Sequence, residues 1–223
     1  MKNLILFFSL IMISCVQKPK YNYGLEVSDD VNSYKNSLQE HPEYELVDLE
    51  NIENIQLDIR YATTNNFTGE VIYNLPKAYA RKPVAEALAK VQKDLNAMGY
   101  GLKIFDGYRP YRATVKFYEV YGDTTFVASP YRGSRHNRGC AIDLTVIDLS
   151  TGEELKMPTP YDDFTELAFA EAPVQDSLIR ANRALLKTSM EEHGFTVYTH
   201  EWWHFDFNDW ESFPLLDIPF EDL

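Results

Sequence analysis

The chain is poor in cysteine, with only Cys15 and Cys140 among its 223 residues. Two thiols cannot make a disulfide framework or a cysteine-rich structural zinc cluster, so the fold must be held by its core. No apolar run reaches the roughly twenty residues that a membrane-spanning helix needs. Basic charge is also scarce: 21 Lys and Arg stand against 34 Asp and Glu, giving a formal charge of −13 and a pI near 4.8. Without a basic cluster interleaved with aromatics, nucleic acid is excluded as a partner. Internal repeats and low-complexity blocks are absent, which removes solenoids and arrays. What the chain does have is 45% hydrophobic and 14% aromatic residues, enough to bury the core of one domain.

The start of the sequence, Met1-Lys2-Asn3 followed by the apolar stretch Leu4 to Ile13, has the charge and length of an export signal. Ser14-Cys15 after it resembles the cleavage box of bacterial lipoproteins, in which the cysteine is lipidated. Residues 1–14 are therefore expected to be a signal peptide, and Cys15 the anchor of an exported lipoprotein facing the periplasm. Membrane association is expected through that lipid alone. Residues 15–45, polar and tyrosine-bearing, read as a tether, and 46–223 as the folded domain. Cys140, next to Gly139 and Ala141, reads as a small core filler.

Alternation of Ile55, Leu57 and Ile59 predicts a half-buried strand over 53–61. Val84, Leu88, Val91 and Leu95 predict a helix over 83–98, with Pro83 at its start and Gly99 past its end. A strand over 102–105 leads through Asp106-Gly107-Tyr108-Arg109-Pro110 to a helix ending near Tyr121. Residues 139–148 predict the next strand, with a turn at 150–153 and a short strand over 154–157. A helix over 173–192, with Leu178, Ala181, Leu185 and Met190 on one face, is followed by strands over 195–198 and 202–207. The acidic segment 209–223 reads as loop. Helices and strands mix without a βαβ rhythm, so the fold class is α+β: a single domain with a central, mainly antiparallel sheet and flanking helices.

Two clusters carry chemistry. Ser134-Arg135-His136-Asn137-Arg138-Gly139-Cys140-Ala141-Ile142-Asp143 sets an imidazole and a carboxylate on either side of a turn-forming glycine, and Glu201-Trp202-Trp203-His204 supplies a second imidazole and another carboxylate. Two His and one Asp leave a fourth position open, the pattern of a catalytic rather than a structural zinc site. His136, Asp143 and His204 are the candidate ligands of one zinc ion, at the sheet. Glu201 is placed to take a proton from the attacking water and return it to the leaving amine. Arg109 offers a fixed positive fork for a developing oxyanion.

These residues resemble the zinc D-alanyl-D-alanine dipeptidases, within the wider group of zinc peptidases acting on D-amino-acid peptides of bacterial walls. The likeness rests on Ser-x-His-x-x-Gly-x-Ala-x-Asp at 134–143, Glu-x-Trp-His at 201–204, Asp-Gly-Tyr-Arg-Pro at 106–110 and Tyr-Ala-Thr-x-x-Asn-Phe-Thr-Gly at 61–69. It implies hydrolysis of D-alanyl-D-alanine and similar short D,D-dipeptides. It also implies that Ser134, Tyr61 and Asp162 hold the substrate's ammonium end. Cys140 departs from the small hydroxyl residue of relatives, and Pro158-Thr159-Pro160 alters the loop that carries Asp162. Two other readings stay open. A D,D- or L,D-carboxypeptidase or endopeptidase on longer wall peptides would need an open groove, and a non-catalytic wall-binding lipoprotein would have no use for Glu201.

Overall fold

The computed structural model describes residues 23–223, so the expected signal peptide and the Cys15 anchor lie outside the described residues. In chain order the elements are α1 (Val31–Glu40), β1 (Leu46–Asp48), β2 (Gln56–Leu57), β3 (Tyr79–Arg81), α2 (Lys82–Asn96), β4 (Tyr100–Asp106), α3 (Tyr111–Tyr121), β5 (Ala141–Asp148), α4 (Ser177–Glu191), β6 (Phe195–Val197) and β7 (His204–Phe207). β1 and β3 form a small antiparallel ribbon. The main sheet has the order β2-β4-β5-β7-β6, antiparallel throughout except for the two-residue pairing of β2 with β4. The α+β architecture read from the sequence is therefore the one present.

α2 shows why the helical reading works. Val84, Leu88, Val91 and Leu95 are all fully buried, and each side chain of that size contributes ~1.5–3 kcal/mol on leaving water. α3 is preceded by Pro110 and stopped by Gly122, whose φ of 76° lets the chain leave the helix. β5 lies at the centre of the sheet and is buried almost end to end, which accounts for its apolar run Leu144 to Ile147, broken only by Thr145. Cys140 is a free thiol without exposure, and burial pushes it up to about 12, as suits a core filler.

Several elements differ from the expectation. The described part of the segment read as a tether contains α1, capped by the Asp30 carboxylate on Ser33 N at 2.7 Å. Tyr34 of α1 is buried, and its hydroxyl accepts from Leu46 N at 2.8 Å, so the domain begins well before residue 46. Of the strand expected over 53–61 only β2 forms. The parallel pairing of β2 with β4 ends with Asp58 N donating to Ile104 O, and a 3-10 turn at Arg60–Ala62 carries Tyr61 inward. The strand over 154–157 reduces to one bridge, Ile147 to Glu154. α4 starts at Ser177, where Asp176 caps it, and buries Asn182, Leu186, Ser189 and Met190 against the body of the domain while Leu178 is exposed. The segment after Asp209 has no strand or α-helix, yet Phe213, Leu215, Leu216, Ile218 and Phe220 are core residues.

Candidate active site

Adjacent strands assemble the site. β5 and β7 pair so that Asp143 stands directly across the ladder from His204, and a register irregularity between Ile104 and Asp106 sets Asp106 opposite Asp143 from the other side. Such irregularities re-aim side chains at the rim of a sheet. His136 comes from a 3-10 turn, His136–Arg138, that Gly139 closes at φ 71° immediately before β5. The three expected ligands thereby converge. His136 Nε2 lies 3.3 Å from Asp143 Oδ1 and 3.1 Å from His204 Nδ1, and the last two atoms are 3.0 Å apart.

The outer nitrogens fix what faces inward. His136 Nδ1 is 2.8 Å from the Gly107 carbonyl, which can only accept, so the ring proton sits there and the Nε2 lone pair points into the cluster. His204 Nε2 is 2.9 Å from Asp206 Oδ1, with the same consequence for Nδ1. Asp143 Oδ1 is buried without a hydrogen-bond partner. Three buried acceptors facing one another call for a cation. A tetrahedral ion with ligand distances of roughly 2.0–2.1 Å separates its donor atoms by roughly 3.3 Å, so zinc fits this set. The charges agree. Burial would raise the pKa of Asp143, but His136 and His204 hold it well below the usual carboxylate range. Burial works against a charge on His204, yet Asp206 and Asp143 draw it well above its ordinary value.

The other expected residues gather around this triad. Glu201 is buried, with Oε2 3.6 Å from His204 Nδ1. Burial pushes its carboxyl up to about 8, against the pull of His204 and with the help of Asp143 and Asp162. Arg109 Nη2 stands 3.7 Å from Asp143 Oδ2, and its guanidinium lies over Phe117 at 4.7 Å. It is anchored by Asp106 Oδ2, which accepts from Nε at 2.9 Å and lies 2.8 Å from Nη2. The Tyr61 hydroxyl reaches both Asp162 oxygens at 3.1 and 3.0 Å. Ser134 Oγ accepts from His136 N at 3.2 Å, tying the turn together. All of them line one cavity of about 300 Å³.

Three contributors went unread in the sequence. Tyr161 links the two halves of the site, its hydroxyl 3.1 Å from Asp143 Oδ2 and 3.2 Å from that of Tyr61. Asp106 anchors Arg109, and its position three residues earlier in a turn was the available signal. Asp206, two residues beyond a ligand on a strand, falls on the ligand's own face, which the period of two gives away.

The family described as peptidase M15, D-Ala-D-Ala dipeptidase, matches residues 42–220. The D-alanyl-D-alanine dipeptidase of Escherichia coli (strain K12) is 36% identical over 173 residues, covering 77% of this chain and 89% of that protein. The D-alanyl-D-alanine dipeptidase of Enterococcus faecalis (strain ATCC 700802 / V583) is 33% identical over 193 residues, covering 78% and 92%. That of Enterococcus faecium is 32% identical over 190 residues, covering 75% and 94%. With a likeness that runs from the strand ribbon through the ligand turn to the buried C-terminal segment, the chain belongs to the D-Ala-D-Ala dipeptidase family of metallopeptidases.

Proposed function

We propose that the protein hydrolyses D-alanyl-D-alanine and similar short D,D-dipeptides at a zinc centre held by His136, Asp143 and His204. The observation that carries this reading is the wall formed by Tyr61 and Asp162, which Tyr161 joins to Asp143. A carboxylate and a hydroxyl so close to the reacting centre suit a free ammonium one residue from the scissile bond, and an acylated nitrogen there would leave them unpaired. The cavity volume is at the small end of the range for ligand sites, as a dipeptide requires.

Zinc supplies Lewis acidity, both toward the carbonyl and toward water. The chain's residues do the rest. Asp162, Tyr61 and Ser134 hold the ammonium end. Glu201 takes a proton from the attacking water and passes it to the leaving amine, a role typically worth 10²–10⁴ in rate. Burial alone would keep this carboxyl protonated, and a divalent cation beside it favours the ionised base. Arg109, locked by Asp106 and stacked on Phe117, presents a donor to the oxygen that gains charge.

The test is a pair of variants with metal analysis. Glu201→Ala is expected to keep zinc and lose at least ~10²-fold in kcat, whereas His136→Ala is expected to lose the metal. D-Ala-D-Ala should be cleaved in preference to its N-acetylated form. Hydrolysis retained by metal-replete Glu201→Ala would sink the mechanism, and preference for the acetylated substrate would refute the dipeptidase reading.

A further inference from the structure

The two histidines of the triad are backed differently. Behind His136 stands a neutral backbone carbonyl, and behind His204 a carboxylate. His204 and Asp206 are separated by one residue on β7, so the pleat puts both side chains on one face. Asp206 is pinned on both flanks. Its backbone pairs with Ala141 of β5 and Thr196 of β6, and its side chain is only 13% exposed. Oδ1 accepts from His204 Nε2 at 2.9 Å, while Oδ2 lies 3.6 Å from Arg135 Nε. The Arg135 guanidinium rests over the Trp210 ring at 4.9 Å, and Arg138, on the same ring at 5.3 Å, donates to the Phe213 carbonyl. Contacts thus run unbroken from the C-terminal segment to a ligand nitrogen.

We infer that Asp206, held by Arg135 against Trp210, is a positioning residue that fixes the ring orientation and tautomer of His204 and makes it the stronger of the two imidazole donors. A neutral imidazole has one N–H and one lone pair. An acceptor at Nε2 keeps the proton there and turns Nδ1 toward Asp143 and His136. A carboxylate does this more firmly than a carbonyl, because the bond is charge-assisted and electron density moves to the far nitrogen. Arg135 prevents Asp206 from turning away toward solvent. Asp206 does not line the cavity, so its effect passes through His204.

The inference rests on zinc being held by the triad, and the experiment separates the two. Zinc dissociation constants, read by competition with a chromophoric chelator, are compared for the full chain and its Asp206→Asn, Asp206→Ala and Arg135→Ala variants. Thermal unfolding of the metal-free proteins and nitrogen NMR of the His204 ring are measured in parallel. Asp206→Asn keeps an acceptor without the charge, and Asp206→Ala removes both. The expected result is a 10–100-fold weaker affinity for Asp206→Ala, a smaller loss for the other two, and a mixed Nδ1-H and Nε2-H population at His204. Metal-free Asp206→Asn should unfold close to the wild type. Equal zinc affinity across the series, or an unchanged His204 tautomer in Asp206→Ala, overturns the inference. A wild-type chain that takes up no zinc at this site overturns the metal reading, and this inference with it.

Discussion

Asp162 occupies the left-handed region at φ 61°, with its carboxyl bonded at both oxygens to Tyr61. Burial and the nearby Asp143 push its pKa up to about 7, against the opposing hydrogen bond from Tyr61. If it is the ammonium anchor, only its ionised form binds well, so kcat/KM for D-Ala-D-Ala should rise with pH through about 7. Above that the substrate's own α-amino group, with a pKa of roughly 7.7–8.0, loses its proton and the profile should fall. Asp162→Asn is expected to raise KM by roughly 10- to 100-fold, the loss of a hydrogen bond to a charged group, and to remove that acidic limb. Steady-state kinetics across pH 5.5–9, an experimental window of about three to four units, decides it. An unaltered acidic limb in the variant assigns that ionisation to another group. At this scale type and spacing in the sequence singled out His136, Asp143, Glu201 and His204, which the fold brings together around one cavity. It was silent on Tyr161, because its role depends on a loop being brought beside Asp143.

The turn between His136 and Asp143 fixes the distance between two ligands, and Gly139 is its joint. At φ 71° a side chain is strained by about 1–2 kcal/mol. A Cβ there would also meet Leu46 Cδ2 at 2.8 Å and the Arg81 backbone N at 3.3 Å, where Arg81 N donates to Gly139 O at 2.9 Å. Gly139→Ala should lower the urea midpoint of the metal-free protein by the equivalent of about 1–3 kcal/mol, with an unchanged denaturant slope, and weaken zinc binding as His136 shifts. A midpoint equal to the wild type's would show that the turn relaxes without cost. Elements were legible where one pattern governed them. α2 and α3 carry apolar periodicity with a stop signal, and β5 a run that only a central strand can bury. The segment 53–61 misled because its alternation continues past β2, whereas the pairing with β4 ends at the bond from Asp58 N to Ile104 O and the backbone then coils. In α4 the apolar residues marked the buried face only in part: Met190 is buried and Leu185 packs against the core, but Leu178 is left outside and Asn182 is buried, donating to Lys156 O at 3.0 Å.

Across the whole molecule, the segment after Asp209 closes the fold in a way that no periodicity announces. Its apolar residues sit in irregular backbone, so they read as loop, and loop they are. They are nevertheless bound into the domain at every turn. Leu216 N donates to Asn137 O at 2.9 Å beside the ligand His136, and Tyr111 N donates to Leu216 O at 3.0 Å. The Tyr108 hydroxyl donates to Ile218 O at 2.9 Å and accepts from Ile218 N at 2.8 Å, while Arg81 Nη2 reaches Pro214 O at 3.1 Å. Leu216 also bridges to Ser28, so both ends of the described chain meet next to the site. Burying Phe213, Leu215, Leu216, Ile218 and Phe220 is worth roughly 7–15 kcal/mol, as much as the whole net stability of a typical domain. Truncation after Asp209 is therefore expected to abolish cooperative unfolding and zinc binding together, although it removes no ligand and no catalytic residue. Circular dichroism on heating and metal analysis of the truncated protein check this. A truncated chain that still unfolds cooperatively and binds zinc would show that α2, α3 and the sheet hold the ligand turn without the tail.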